Sequence, residues 1–283
     1  MSVDIDTNLT ETLQKILHYY DVCWLGRFKD GHNPISLAMH MGHFEGDNKD
    51  NDLAKMKANQ SLARFINIPS NEERSIADFG CGIGGTCFYL ANTYTSAAIT
   101  GINISASQVA YANQLLKQRP NTNNLQFLRA DYAQTSLPDS SFDYVIAIES
   151  ICHAPNKTKV FQEAYRILKP NGVFAFMDYF EEEATNYMQA HWLAEFREGW
   201  AVEQYLKNSQ SELENVGFKD VVEEDITSLI YQGIEYSAIK ATVALSKGNQ
   251  ENVVEKHLSA CIALKNLVDN KLISYKMVKA LKL

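Results

Sequence analysis

Apolar residues fall in short dense runs between residues 75 and 178, and at helical spacing before, between and after those runs. Near the N-terminus Leu9, Leu13, Ile16, Leu17 and Tyr20 recur every three or four residues, which predicts a helix over 8–20 closed by Asp21. Leu53, Met56, Leu62, Phe65 and Ile66 repeat the pattern and predict a second helix over 52–67, stopped ahead of Pro69. The loop between them, Asp30 to Asp50, is rich in glycine, asparagine and aspartate. From there the pattern alternates: strand 75–79, helix 84–94, strand 97–102, helix 105–119, strands 125–129 and 143–148, helix 157–168, strand 172–178. Gly217–Asp225 and Leu272–Ala280 read as sixth and seventh strands, with about forty helical residues between them.

This alternation predicts an α/β fold: a Rossmann-like, seven-stranded, doubly wound sheet with a helical cap and lid insertions. Residues 1–73 form the expected N-terminal cap, 74–182 the ligand-binding core, and 183–283 the lid helices and the strands that complete the sheet. Within the lid, Trp192, Phe196, Trp200 and Tyr205 recur at four, four and five residues. That spacing predicts one apolar helix face, walling the pocket or meeting another subunit.

Composition narrows the partners. At 283 residues, 46% of them hydrophobic, the chain is long enough to bury a full core. A net charge of −8 without a basic, aromatic-interleaved tract argues against nucleic acid and for a small-molecule acceptor. The polar, acidic first residues and the absence of a run of eighteen apolar residues predict no stable membrane insertion and a cytoplasmic protein. Lid or cap helices offer a surface for a homo-oligomer. Five scattered cysteines, without C-x-x-C spacing, suggest neither a disulfide framework nor zinc, and Cys152 reads as a small buried residue. His40 and His43 lack a third ligand nearby, so no metal is expected.

The chemistry is concentrated at Ile76-Ala77-Asp78-Phe79-Gly80-Cys81-Gly82-Ile83-Gly84-Gly85, an apolar strand that ends in a glycine-dense turn. Glycine takes positive φ and has no Cβ, so the backbone can pass close to a nucleotide-like ligand. Gly80, Gly82 and Gly85 also satisfy the dinucleotide pattern G-x-G-x-x-G. A nicotinamide-dependent oxidoreductase would want a carboxylate at the end of the second strand, where Asn103 stands.

The succession of this turn, Gly101-Ile102-Asn103-Ile104-Ser105, Leu128-Arg129-Ala130-Asp131-Tyr132, Tyr144–Ser150 and Leu168-Lys169-Pro170-Asn171-Gly172 resembles the class I S-adenosylmethionine (SAM)-dependent methyltransferases over residues 74–182. The resemblance implies SAM as cofactor. It implies Asp78, Gly80, Gly82 and Gly84 at the amino-acid part, Asn103 at the ribose and Asp131 at the adenine amino group, with Tyr132 packing on the adenine plane. The stretch around Asn103, with Gln108, is similar to that of tocopherol and sugar O-methyltransferases. Tyr19-Tyr20-Asp21 and Met39–Phe44 resemble N-terminal segments of such enzymes and bring Tyr20 and His40 toward the donor or acceptor.

Ala147-Ile148-Glu149-Ser150-Ile151-Cys152-His153-Ala154-Pro155 resembles the matching segment of sterol side-chain methyltransferases, which methylate an alkene carbon. A carbocation so formed must be steered and deprotonated, tasks suited to a buried carboxylate, aromatic faces and a base. Glu149, His153 and Asp178 are the candidates, with Tyr20 beside them. The expected activity is methyl transfer to a small, hydrophobic metabolite, with C-methylation of an isoprenoid or sterol-like acceptor first. In related sugar O-methyltransferases a histidine matching His153 sits at the acceptor hydroxyl, so oxygen or nitrogen methylation with His153 as base is the alternative. A silent SAM-binding module is the remaining reading.

Overall fold

The computed structural model describes residues 10–25, 33–119, 122–248 and 252–283. The predicted helix start at Asn8 and Leu9 and the loop start at Asp30 lie outside these residues. The cap consists of α1 (Glu11–Tyr20), a π-helical turn Asp21–Leu25, and α2 (Asn51–Phe65). Thr10 and Asp50 begin the two helices, their side chains accepting from Leu13 N–H and Leu53 N–H. The helical path does not close at Asp21 as its charge suggested. It widens there, and the extra backbone turn buries Cys23 and Leu25.

The core follows as β1 (Ser75–Phe79), α3 (Gly85–Thr93), β2 (Ala98–Asn103), α4 (Ala106–Lys117), β3 (Leu125–Arg129), β4 (Phe142–Ile148), α5 (Lys157–Ile167) and β5 (Leu168–Glu181). After it come α6 (Tyr187–Gly199), α7 (Ser209–Val216), β6 (Lys219–Asp225), α8 (Thr227–Ser246), α9 (Asn252–Asp269) and β7 (Ile273–Lys282). The seven strands order as β3-β2-β1-β4-β5-β7-β6, with β7 antiparallel to both neighbours. The order reverses between β1 and β4, so a crevice opens beyond their carboxyl ends, where ligands bind in such sheets. β5 exceeds its predicted span because β7 pairs with it continuously from Gly172 to Glu181.

The sheet separates two apolar layers. On one side Phe79, Phe161, Phe174, Phe176 and Phe218 pack under α5 and α7, and on the other Ile76, Leu90, Met177, Phe196 and Leu264 pack under the remaining helices. The aromatic series of the lid does not share one helix face, because α6 ends at Gly199. Phe196 and Tyr205 are fully buried and stack 5.5 Å apart. Gly199 lies so close to α9 that a Cβ there would overlap the Lys256 carbonyl. The series is therefore mostly lid core, and of the four only Trp200 reaches the cavity described next.

Candidate active site

A cavity of about 820 Å³ occupies the crevice between cap, sheet and lid. Gly80 and Gly82 form part of its floor, both at positive φ (79° and 58°). A Cβ on Gly80 would overlap Ser150, and one on Gly82 would overlap the methyl of Met39, which reaches over the turn from the cap. Gly84, also at positive φ, faces the other way. A Cβ there would overlap Phe127 in the core, so Gly84 shapes the start of α3 and is not part of the cavity wall. Asp78 is likewise turned from the main cavity. It accepts from the Cys87 thiol at 3.1 Å, and burial raises its carboxyl to about 6.

Asn103, Gln108, Asp131 and Tyr132 line the cavity beside the glycine turn. The Asn103 amide is occupied within the protein, donating to Gly82 O at 3.2 Å and Gln108 Oε1 at 2.6 Å. Beside it, Gln108 Nε2 is buried without a protein partner. Tyr132 donates to Ser150 O at 2.7 Å and stacks on Phe79 at 5.8 Å, while Asp131 accepts from Ala133 N–H. His40 is buried at the wall, with Nδ1 on Met41 O at 2.8 Å and Nε2 on Asn59 at 3.1 Å, and burial lowers it to about 3.

His153 and Tyr20, 133 positions apart in sequence, meet at 2.6 Å between Nε2 and the phenol oxygen. His153 Nδ1 lies 2.8 Å from the Ala201 carbonyl, which can only accept. Nδ1 therefore carries the proton, and Nε2 presents a lone pair to the Tyr20 hydroxyl. Burial lowers His153 to about 4, so the ring is neutral at physiological pH.

Glu149 stands at the end of β4 with φ of 49°, a left-handed conformation that its contacts hold in place. Its Oε1 accepts from Met41 N–H at 2.6 Å and Tyr275 O–H at 2.9 Å, tying the cap loop and β7 to the core. Burial raises Glu149 to about 7, while Lys55, itself lowered to about 8 by burial, pulls it back. Asp178 takes no place in the cavity. It is fully buried, and its oxygens accept from Cys152 N–H at 3.0 Å and Tyr179 N–H at 2.8 Å. It anchors the turn that carries His153.

The sequence reading named Trp200 as pocket wall but missed Lys55, Tyr275, Tyr179, Trp24 and His257; Trp200 and His257 stack 5.9 Å apart. All but Tyr275 line the cavity. Lys55 left a signal: with Asn59 and Leu62 it lies at positions i, i+4 and i+7 of α2, the stripe that is buried. Among the described residues no cluster of three metal-ligating side chains exists, and no helix is long and apolar enough to cross a membrane.

Residues 77–176 match a methyltransferase domain family. That stretch is a methyltransferase domain. Around that domain the chain is 32% identical to a sterol 24-C-methyltransferase of Neurospora crassa over 170 residues, 58% of this chain and 44% of that one. A sterol 24-C-methyltransferase of Saccharomyces cerevisiae is 30% identical over 53% of this chain and 40% of its own. The chain thus spans less than half the length of both relatives in these matches. In solved structures, the fold is shared with a cyclopropane synthase of Mycobacterium tuberculosis (TM-score 0.83, 16% identity, 97% and 100% of the two chains covered). It is shared also with a geranyl diphosphate methyltransferase solved with geranyl diphosphate and sinefungin (TM-score 0.75, 14% identity, 96% and 100% covered).

SAM is the cofactor of this domain type. The residues present fit it: glycines whose Cβ positions are already filled, a buried Gln108 donor without a partner, and Asp131 and Tyr132 at the ends expected for adenine.

Proposed function

We propose that the protein transfers a methyl group to a small, hydrophobic acceptor, with an alkene carbon of an isoprenoid or sterol-like molecule as the favoured target. Gly80, Gly82, Gln108, Asp131 and Tyr132 would hold the donor, with Asn103 positioning Gln108. When bound, SAM supplies an electrophilic methyl on a sulfonium, so the protein's remaining tasks are alignment, exclusion of water and removal of a proton.

The observation that carries this reading is the neutral Tyr20–His153 pair in a largely apolar cavity. The Tyr20 oxygen can take a proton from the acceptor while its own proton passes to His153 Nε2, and the Ala201 carbonyl holds the resulting imidazolium. A histidine lowered to about 4 is a poor base for an alcohol. It suffices for a carbocation, whose adjacent C–H is strongly acidic. The Glu149 carboxylate and the rings of Tyr20, Trp24 and Trp200 face the same space and favour positive charge there. The sterol methyltransferase relatives point the same way. Oxygen or nitrogen methylation remains a second reading, favoured by the 2.6 Å contact, since the same pair would take a proton from an acceptor O–H or N–H. In either case the protein acts in the cytoplasm on a small molecule and not on nucleic acid, whose phosphates a chain of net charge −8 repels.

Calorimetric titration with S-adenosylhomocysteine, with NAD as control, tests the cofactor, and labelled SAM offered with terpenoid, sterol and alkaloid acceptors tests the transfer. Binding of S-adenosylhomocysteine alone is expected. Tyr20→Phe should then lower turnover by about 10²–10⁴-fold with S-adenosylhomocysteine affinity unchanged. Unchanged turnover in both Tyr20→Phe and His153→Gln would refute the proton path.

A further inference from the structure

Helix α8 buries one face through Ile230, Gly233, Ile234, Ala238 and Ala241, yet its opposite face is apolar too. Tyr236, Ile239 and Val243 are 54%, 59% and 51% exposed. At about 100° per residue, these three with Lys240 and Lys247 fall within an arc of about 100°, and Glu235 lies outside it. The stripe thus carries two lysines and no acidic residue on a chain of net charge −8. Tyr236, Lys240, Val243 and Lys247 also line the cavity, so the stripe is the edge where protein surface turns into cavity wall.

We infer that this face of α8 docks on the surface of an anionic lipid bilayer, from which an apolar acceptor enters the cavity. The inference rests on the hydrophobic-acceptor reading above. Exposed apolar side chains with a tyrosine and flanking lysines have the chemistry of an interfacial helix, whose rings and aliphatic groups enter the headgroup region while ammonium groups meet lipid phosphates. Contact at the cavity rim spares an insoluble acceptor a passage through water. The acidic remainder of the surface is repelled, which orients the molecule with α8 toward the membrane.

The test is flotation of the full chain with phosphatidylcholine vesicles and with vesicles carrying about 30% phosphatidylglycerol, at low and high salt. Binding to the anionic vesicles alone, weakened by salt, is expected. Lys240→Gln should weaken it about fivefold. Ile239→Glu, at a residue outside the cavity wall, should abolish it while leaving S-adenosylhomocysteine affinity unchanged. Absence of binding, equal binding to both vesicle types, or binding that survives Ile239→Glu would overturn the inference. So would a dimer in sedimentation that Ile239→Glu dissociates, since a second copy would then cover the face. S-adenosylhomocysteine titration of the same samples separates the two readings: its failure would remove the methyltransferase activity, whereas the vesicle result tests α8 alone.

Discussion

Replacing Glu149 probes the joint between cap and core. In Glu149→Ala the Met41 N–H and Tyr275 O–H lose the oxygen they share, and two buried donors without partners cost about 1–3 kcal/mol each. Lys55 also loses its facing carboxylate. Because burial already lowers Lys55 to about 8, it can shed its proton, which avoids the ~3–5 kcal/mol of a stranded buried charge. The expected loss is therefore about 2–6 kcal/mol, or about 3–10 °C in Tm for a chain of this length. Glu149→Gln keeps an acceptor oxygen and should lose only about 1–2 °C. Glu149→Gly should lie above Glu149→Ala by about 1 kcal/mol, because φ of 49° strains alanine and not glycine. Thermal unfolding followed by circular dichroism ranks the three. Alanine equal to glutamine would refute the latch, and alanine above glycine would refute the strain.

Two further outcomes test buried polar groups. The Tyr179 hydroxyl is buried without a partner, so Tyr179→Phe should raise stability by about 1 kcal/mol in urea unfolding, and a loss would show that the hydroxyl is engaged. His43 is lowered from 6.5 to about 4 by burial, so between those values the unfolded chain binds the extra proton and stability falls as pH falls. His43→Gln should flatten the pH dependence of unfolding there by at most about 1.4 kcal/mol per pH unit, and an unchanged slope would refute the assignment.

The sheet was legible in the sequence because each core strand is a dense apolar run and each helix a 3.6-residue repeat. Strand boundaries failed where pairing decides length, as at β5, whose extension needs β7 from nearly a hundred residues away. The glycine turn was legible as a tight, positive-φ turn, but Gly84 was not separable from Gly82. Which way each α-carbon faces depends on Phe127 and Met39, and spacing carries no trace of either. Asp178 misled for a related reason: a strand-end acid beside an active site reads as chemistry until its oxygens are found on Cys152 and Tyr179 N–H groups. Lys55 stood on a buried helical stripe and was visible in principle.

The proposed base belongs to no single segment. Tyr20 comes from the cap, His153 from the turn after β4, and the Ala201 carbonyl that fixes the histidine tautomer from the lid. Cap and lid must both be seated for Nε2 to face the phenol. In the proposed reaction the proton acceptor is complete only with cap, core and lid in these positions, so its assembly would accompany the exclusion of water. Met39 extends the coupling to the donor side, since the same cap loop lays its methyl over Gly82 while Met41 is held by Glu149. Cap residues thus touch both halves of the cavity: Met39 lies over the glycine turn and Tyr20 on His153.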